Sequence, residues 1–426
     1  MKVEKHGRST MAYAVIIIGI LIGAAIGFGL AYSAYVPQIN SNNSKITALN
    51  AEIAALNAEI DSLNSSVNSL NSELSLQNSL VTLASNSPFV VGAAGTLKYA
   101  FGSVLTTFKG LYPHITVAPP LFEGSGLVAQ AENATKQFSL EAAADTTAMP
   151  SVLFPNLANY EIAFGQTQMV IIVNLESSAG LKLYNMWKGV QGLSAMSTKW
   201  NQTWQQMFTL IALNSSTKVG ISDPFTDPSG YQAAGMIRLA GLAFFGNMSE
   251  LYDAIYDNPS KYYMASTETT LVTLMQTQHL DFITSSYMSN AIPQTGNSTQ
   301  TGLAYITLPN FVNLGVLSEL SYYHQANFSL SPSQLQPTGP GPSENFTINP
   351  VIYTVTIPIP STNAAAAALF IQTLFSQTCQ SILEQNGITP ISPGIVYGSY
   401  TSIPSLIKSL TTPVNATYST LFPTGS

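Results

Sequence analysis

Hydrophobic and polar positions divide the chain into three zones of different period. Met11 to Val36 holds no charged residue, and this apolar run is long enough to cross about 30 Å of hydrocarbon as one helix. Lys2, Lys5 and Arg8 precede it and the next charge is Lys45. That asymmetry predicts a cytoplasmic N-terminus over 1–10, a transmembrane helix or signal anchor over 11–36, and an extracellular remainder. Gly19, Gly23 and Gly27 recur every four residues, a stripe where a second helix could approach, although glycine is common in membrane helices anyway. A cleaved secretory signal competes with this reading, but the run exceeds the roughly 7–15 apolar residues usual for one.

From Ile46 the spacing becomes 3-4-3-4. Ile46, Leu49, Ile53, Leu56, Ile60, Leu63, Val67, Leu70 and Leu74 keep it without a break, and Gln77, Val81 and Ala84 continue it more weakly. β-Branched residues alternating with Leu predict a coiled-coil stalk over 43–85, biased towards a parallel dimer. Few charges flank the seam, so a trimer stays open, as does one amphipathic helix packed on its own domain. Asn86-Ser87-Pro88 ends the segment.

The third zone runs from Pro88 to about 410. Short apolar runs (Phe89–Val91, Ile115–Val117, Met169–Val173, Val219–Ile221, Ala304–Leu308, Ile352–Ile357) alternate with helical stretches. This alternation predicts an α/β domain with mostly parallel sheets. Gln336–Pro350 reads as a loop and 411–426 as an irregular tail.

Composition narrows the function. Only 8% of the 426 residues are charged, against roughly a quarter in average soluble domains. Ser, Thr, Asn and Gln replace them, which suits an extracellular protein in acid, where dense carboxylates would protonate and dense lysines repel. Glycosylation triplets begin at Asn133, Asn201, Asn214, Asn247, Asn297, Asn327, Asn345 and Asn415, in keeping with a surface glycoprotein. Fourteen Lys and Arg against 21 Asp and Glu, with no basic cluster beyond the first residues, argue against nucleic acid as a partner. The lone Cys379 excludes a disulfide framework, and His6, His114, His279 and His324 are too scattered for a metal motif.

Three segments look like anion cradles. Val91–Leu97 places Gly92, Gly95 and the Thr96 hydroxyl between a strand and a helix; Glu123-Gly124-Ser125-Gly126 repeats the arrangement. Backbone N–H groups at such helix starts attract anions, though a tight turn alone also explains the glycines. The third, Ser222-Asp223-Pro224-Phe225-Thr226-Asp227-Pro228-Ser229-Gly230-Tyr231, puts two Asp-Pro pairs four residues apart before a helix expected near Gln232. Capping that helix is the bland role for its carboxylates.

This last run resembles the signature of archaeal tungstate/molybdate-binding proteins, the capture subunits of ABC importers. Ala94-Gly95-Thr96-Leu97, Tyr112-Pro113 with Ile115 and Val117, Ala142-Ala143-Ala144-Asp145, Gln168–Ile171, Pro350–Tyr353 and the Ala368–Gly387 helix with Pro390 are collinear with it. The resemblance implies a two-lobed α/β fold of the type II periplasmic-binding-protein class. Lobe 1 would comprise about 88–164 and 358–408, and lobe 2 about 165–357. It also implies a ligand in the cleft, tungstate or molybdate, held by Thr96, Ser125, Ala143, Gly230 and Tyr231. Asp227 and Glu268, the latter in Ser266–Leu271, would approach the metal centre of that ligand. No resident cofactor is implied. Its implied partners are an ABC permease and ATPase. The chain departs from the family pattern at Ala143 for serine, at Ser229-Gly230-Tyr231-Gln232 for Cys-Gly-Tyr-Arg, and at Ser285-Ser286-Tyr287-Met288, where the tyrosine is shifted by one place.

The leading expectation is therefore a membrane-anchored, non-enzymatic solute-binding protein on a dimeric or trimeric stalk. A structural surface-assembly protein reusing the same fold is the alternative. A catalytic role would rest on carboxylates such as Asp223 and Asp227 alone, since no nucleophile motif accompanies them.

Overall fold

The computed structural model describes residues 7–277, 280–296, 298–335 and 342–422. Lys2, Lys5, His6, His279, the sequon residue Asn297, and the tail beyond Phe422 lie outside them. The chain divides into two units, Met1–Leu76 and Gln77–Ser426.

A single helix, Gly7–Ala84, runs through the apolar segment and the heptads, with Pro37 inside it. Its apolar stretch reaches a mean hydropathy of 2.6 and is long enough to cross a membrane. The heptad residues Ile46 to Leu74 are 52–63% exposed, an apolar stripe along the helix. The last two turns behave differently. Leu80 and Val81 pack on the globular core, Ala84 is fully buried, and Gln77 Nε2 donates to the Tyr112 hydroxyl at 3.1 Å. Residues 77–84, assigned to the stalk on sequence, therefore belong to the globular unit.

The strands of that unit are β1 (Val91–Ala94), β2 (Leu121–Glu123), β3 (Leu140–Ala143), β4 (Tyr160–Thr167), β5 (Met169–Asn174), β6 (Val219–Ser222), β7 (Tyr262–Ala265), β8 (Phe282–Tyr287), β9 (Leu303–Thr307), β10 (Phe328–Leu330), β11 (Glu344–Phe346), β12 (Val351–Thr356), β13 (Thr389–Gly398) and β14 (Thr411–Pro413). One sheet has the order β14-β13-β4-β12-β3-β1-β2, the other β7-β6-β8-β5-β9, and β10 pairs with β11 alone. Both sheets are mixed. β1 is parallel to β2 and β3, and β6 to β7 and β8, but β12 is antiparallel to β3 and β4, and β5 to β8 and β9. The antiparallel members are those next to the crossings between sheets, which single-strand periodicity does not reveal.

The chain crosses between sheets twice. β4 ends at Thr167 and β5 begins at Met169, and the return enters β12 at Val351. Asn313 ties the two together: its carbonyl accepts from Met169 N at 2.7 Å and its Nδ2 donates to Gln168 Oε1 at 2.7 Å, while Val351 N donates to Leu314 O at 2.8 Å. The sheet boundaries thus fall a few residues from 165 and 357.

Four phenylalanines anchor the larger sheet: Phe370 lies 5.4 Å from Phe89, 5.4 Å from Phe101 and 5.7 Å from Phe108, all fully buried. Residues expected as an irregular tail are ordered in part. β14 pairs with β13, and Leu421 and Phe422 are buried, Phe422 stacking on Tyr397 at 4.6 Å. The stretch read as a loop contains β11, and Ile115–Val117 contributes one bridge, Phe89 to Val117, rather than a strand.

Candidate anion-binding site

Parallel β–α units leave helix N-termini beyond the carboxyl ends of their strands, where unpaired N–H groups gather. Here β1 leads through the tight turn Gly95–Leu97 into the helix Lys98–Leu111, β2 into Ser125–Thr135, β6 into Pro228–Phe245 and β7 into Glu268–Gln276. The first two units come from the larger sheet and the last two from the smaller.

Asp227 caps the helix Pro228–Phe245. Its Oδ1 accepts from Ser229 N at 3.1 Å and its Oδ2 from the Ser229 hydroxyl at 3.0 Å. The capping role the sequence offers for this carboxyl is thus filled. The same hydroxyl lies 2.7 Å from Ser222 Oγ and 3.5 Å from Glu268 Oε2, while Glu268 Oε1 accepts from Asn290 Nδ2 at 3.4 Å. Asp227 and Glu268 are 4% and 2% exposed. Burial pushes both carboxyls up, the Asp227 charge adds to the rise at Glu268, and no cation relieves either among the described residues. Gly230 is required by close packing. A Cβ there would stand 2.5 Å from Ser222 O, so only glycine lets the Asp-Pro loop fold back on its helix.

Opposite them, Gly95 approaches Glu268: a Cβ on Gly95 would lie 3.4 Å from Glu268 Oε1. Thr96 is buried beside Tyr353, and its Oγ1 meets that hydroxyl only loosely. Ser125 Oγ accepts from Ala144 N at 3.0 Å, which leaves its own proton to donate. Tyr231 donates to Asp145 Oδ2 at 2.7 Å, and Gly126 N donates to Thr226 O at 3.2 Å, so side chain and backbone both bridge the two sheets' loops.

Of the residues expected at the site, Asp227, Glu268, Gly230 and Thr96 thus border one buried polar cluster. Ser125 stands near it through its neighbour Gly124, where a Cβ would lie 3.2 Å from Asp227 Cα, and Tyr231 spends its hydroxyl on Asp145. Ala143 is set apart: its methyl packs with Ala129, Met149, Leu153 and Ala158, and it sits in the ladder opposite Thr354. Sequence reasoning passed over Asn290, which has no motif around it. Gln232 stood out only as a missing arginine. Its Oε1 accepts from the Tyr287 hydroxyl at 2.6 Å, and its buried Nε2 makes no more than a loose contact with the Tyr231 hydroxyl. The Thr96 hydroxyl beside Tyr353 and the Gln232 amide beside Tyr231 thus make only loose contacts, and both could donate to an acceptor in this compartment.

A family model for bacterial extracellular solute-binding proteins matches residues 89–389. The chain belongs to that family. An uncharacterized solute-binding protein of Petrotoga mobilis is 26% identical over 306 residues, covering 71% of this chain and 84% of its own. The molybdate/tungstate-binding protein WtpA of Thermococcus kodakarensis is 24% identical over 351 residues, covering 77% and 88%. Among solved structures, the periplasmic molybdate-binding protein of Azotobacter vinelandii covers 71% of this chain and 98% of its own, at 11% identity and a TM-score of 0.44. The chain is thus a solute-binding protein of ABC-type uptake with a periplasmic-binding-protein-like α/β fold, a binding module rather than a catalyst.

Proposed function

We propose that this solute-binding protein captures a tetrahedral oxyanion, tungstate or molybdate foremost, between its two sheets and delivers it to an ABC permease and ATPase. The observation that carries the reading is the meeting of Asp227 and Glu268 through Ser229, at two helix N-termini, opposite Gly95 and Thr96 of the other sheet. Two ionised carboxylates would repel a dianion. They favour it when a shared proton makes one of them a donor, or when their oxygens reach the electron-poor metal centre of the ligand. Thr96, Ser125 and Gln232 supply donors to the oxo groups, and Tyr231 and Gly230 shape the wall. Sulfate, whose centre takes no further ligands, gains only the donors and binds more weakly than tungstate.

The rest of the chain serves presentation. Residues 11–36 anchor the protein in the membrane, with the globular unit outside, and the exposed stripe Ile46–Leu74 pairs with a second copy as a parallel coiled coil. The apolar length and the bare heptad seam support both points.

The test is calorimetric titration of the full chain in detergent with tungstate, molybdate, sulfate and phosphate, near neutral pH and again near pH 4. Tungstate or molybdate binding at least about a hundredfold tighter than sulfate is the expected outcome, a gap of roughly 2.7 kcal/mol. Equal affinity for all four, or heat with none, would overturn the proposal.

A further inference from the structure

The Tyr231–Asp145 bridge borders a cavity of about 700 Å³, within the range of small-molecule pockets and roomier than one tetrahedral ion requires. Neither Thr96 nor Glu268 lines it, and Asp227 is the one carboxyl it shares with the cluster above. Its walls have a different chemistry. The Phe346 ring stacks on Tyr231 at 5.1 Å and 18° and meets Phe225 edge-on at 5.8 Å and 60°. Asp145, Asp227 and Glu344 stand in the lining, whereas no Lys, Arg or His does among the described residues. Thr226 adds a buried hydroxyl without a partner. Such a wall repels anions. Aromatic rings beside carboxylates that hydrogen bonds hold but no cation neutralises attract a weakly hydrated cation, by ring quadrupole and by Coulomb attraction together.

We propose that this cavity is a second ligand site, adjoining the oxyanion cradle at Asp227 and Tyr231, which takes a small organic ammonium ion against Phe346 and Phe225 with Glu344 and Asp145 as counter-charges. A cation seated there touches both partners of the Tyr231–Asp145 hydrogen bond, which joins loops of the two sheets. Its occupancy therefore favours their apposition and tightens oxyanion binding reciprocally.

The test titrates the full chain in detergent with choline chloride at low and at 0.5 M sodium chloride, with glucose as the neutral comparison. Saturable choline binding that weakens with salt is expected. Phe346→Ala and Glu344→Gln should each lower it by about fivefold or more, while both variants keep their tungstate titration within about twofold when choline is absent. Glucose binding in place of choline, choline binding indifferent to both substitutions, or no choline binding at all would each overturn the proposal. The tungstate arm stands apart from all three results, so loss of the oxyanion reading would register there alone.

Discussion

Gly124 offers a direct test of whether ligand is held by closing the two sheets' loops on each other. Its φ of −55° and ψ of 139° suit any residue, so alanine there strains nothing locally. The added methyl, however, would stand 2.2 Å from Thr226 O across the cleft. A carbon–oxygen contact needs about 3.3 Å, so the Asp-Pro loop must retreat by about 1 Å. That retreat also breaks the 3.2 Å hydrogen bond from Gly126 N to Thr226 O. Overpacking of this kind costs about 1–3 kcal/mol and a lost hydrogen bond about 0.5–1.5 kcal/mol. Because the same movement relieves both, about 2–3 kcal/mol is a fair total, which weakens binding roughly 30- to 150-fold. The cost is felt only when the loops meet, since opening about the 167–169 and 349–351 crossings removes it. Gly124→Ala should therefore raise the tungstate Kd by that factor in calorimetry and leave the ligand-free thermal midpoint within about 3 °C of the parent. An unchanged Kd would refute the reasoning, and a midpoint drop of about 10 °C would show a packing role unconnected with closure.

Three further outcomes are expected. Glu268→Ala should weaken tungstate binding at least about tenfold, more than it weakens sulfate; equal losses for the two anions would remove the carboxyl from the metal centre. Glu141 and Glu161 are buried in the larger sheet and are pushed well above the usual carboxylate range by burial. A raised folded-state pKa stabilises fully below the unfolded value near 4.3 and is lost as pH rises through the folded value. The thermal midpoint should hence fall from acid towards alkaline pH, and Glu161→Gln should flatten that fall; a midpoint that rises with pH would contradict it. Ile60→Lys, in the middle of the exposed heptad stripe, should reduce the full chain to a monomer by sedimentation in detergent, whereas a monomeric parent would dispose of the coiled coil.

Much of this architecture was legible in the residues, for physical reasons that differ by element. The strands Met169–Asn174 and Val219–Ser222 announced themselves as apolar runs because they are buried on both faces. The helix after the Asp-Pro pairs was expected near Gln232 but begins at Pro228, since proline at a first helical position starts a helix as readily as it breaks one. The strand directions were not readable, because a crossing strand has the same composition as its neighbours and differs only in its partners. At the site, Asp227 and Glu268 were legible through the runs around them, 41 positions apart in sequence and joined in space by one serine hydroxyl. Asn290 was not, because an isolated amide carries no pattern. Ala143 was mislaid by alignment of a run: its neighbour Ala144 supplies the N–H that meets Ser125, and strand alternation turns Ala143 to the apolar side.

The fading of the heptads at Gln77, Val81 and Ala84 marks a change of partner, and it has a practical corollary for any soluble form of this protein. Asn363 Nδ2 donates to Ala84 O at 2.8 Å and to Ser87 O at 2.6 Å, so the amide that caps one core helix also clasps the end of the long one. A protease cut at Pro88 would strip that amide of its acceptors, leave the Tyr112 hydroxyl without Gln77, and uncover the aromatic cluster around Phe89. A cut before Gln77 would release the domain with its cap intact. The boundary of a secreted or shed form is thus set at the foot of the helix, eleven residues ahead of Pro88, where the globular sequence pattern begins.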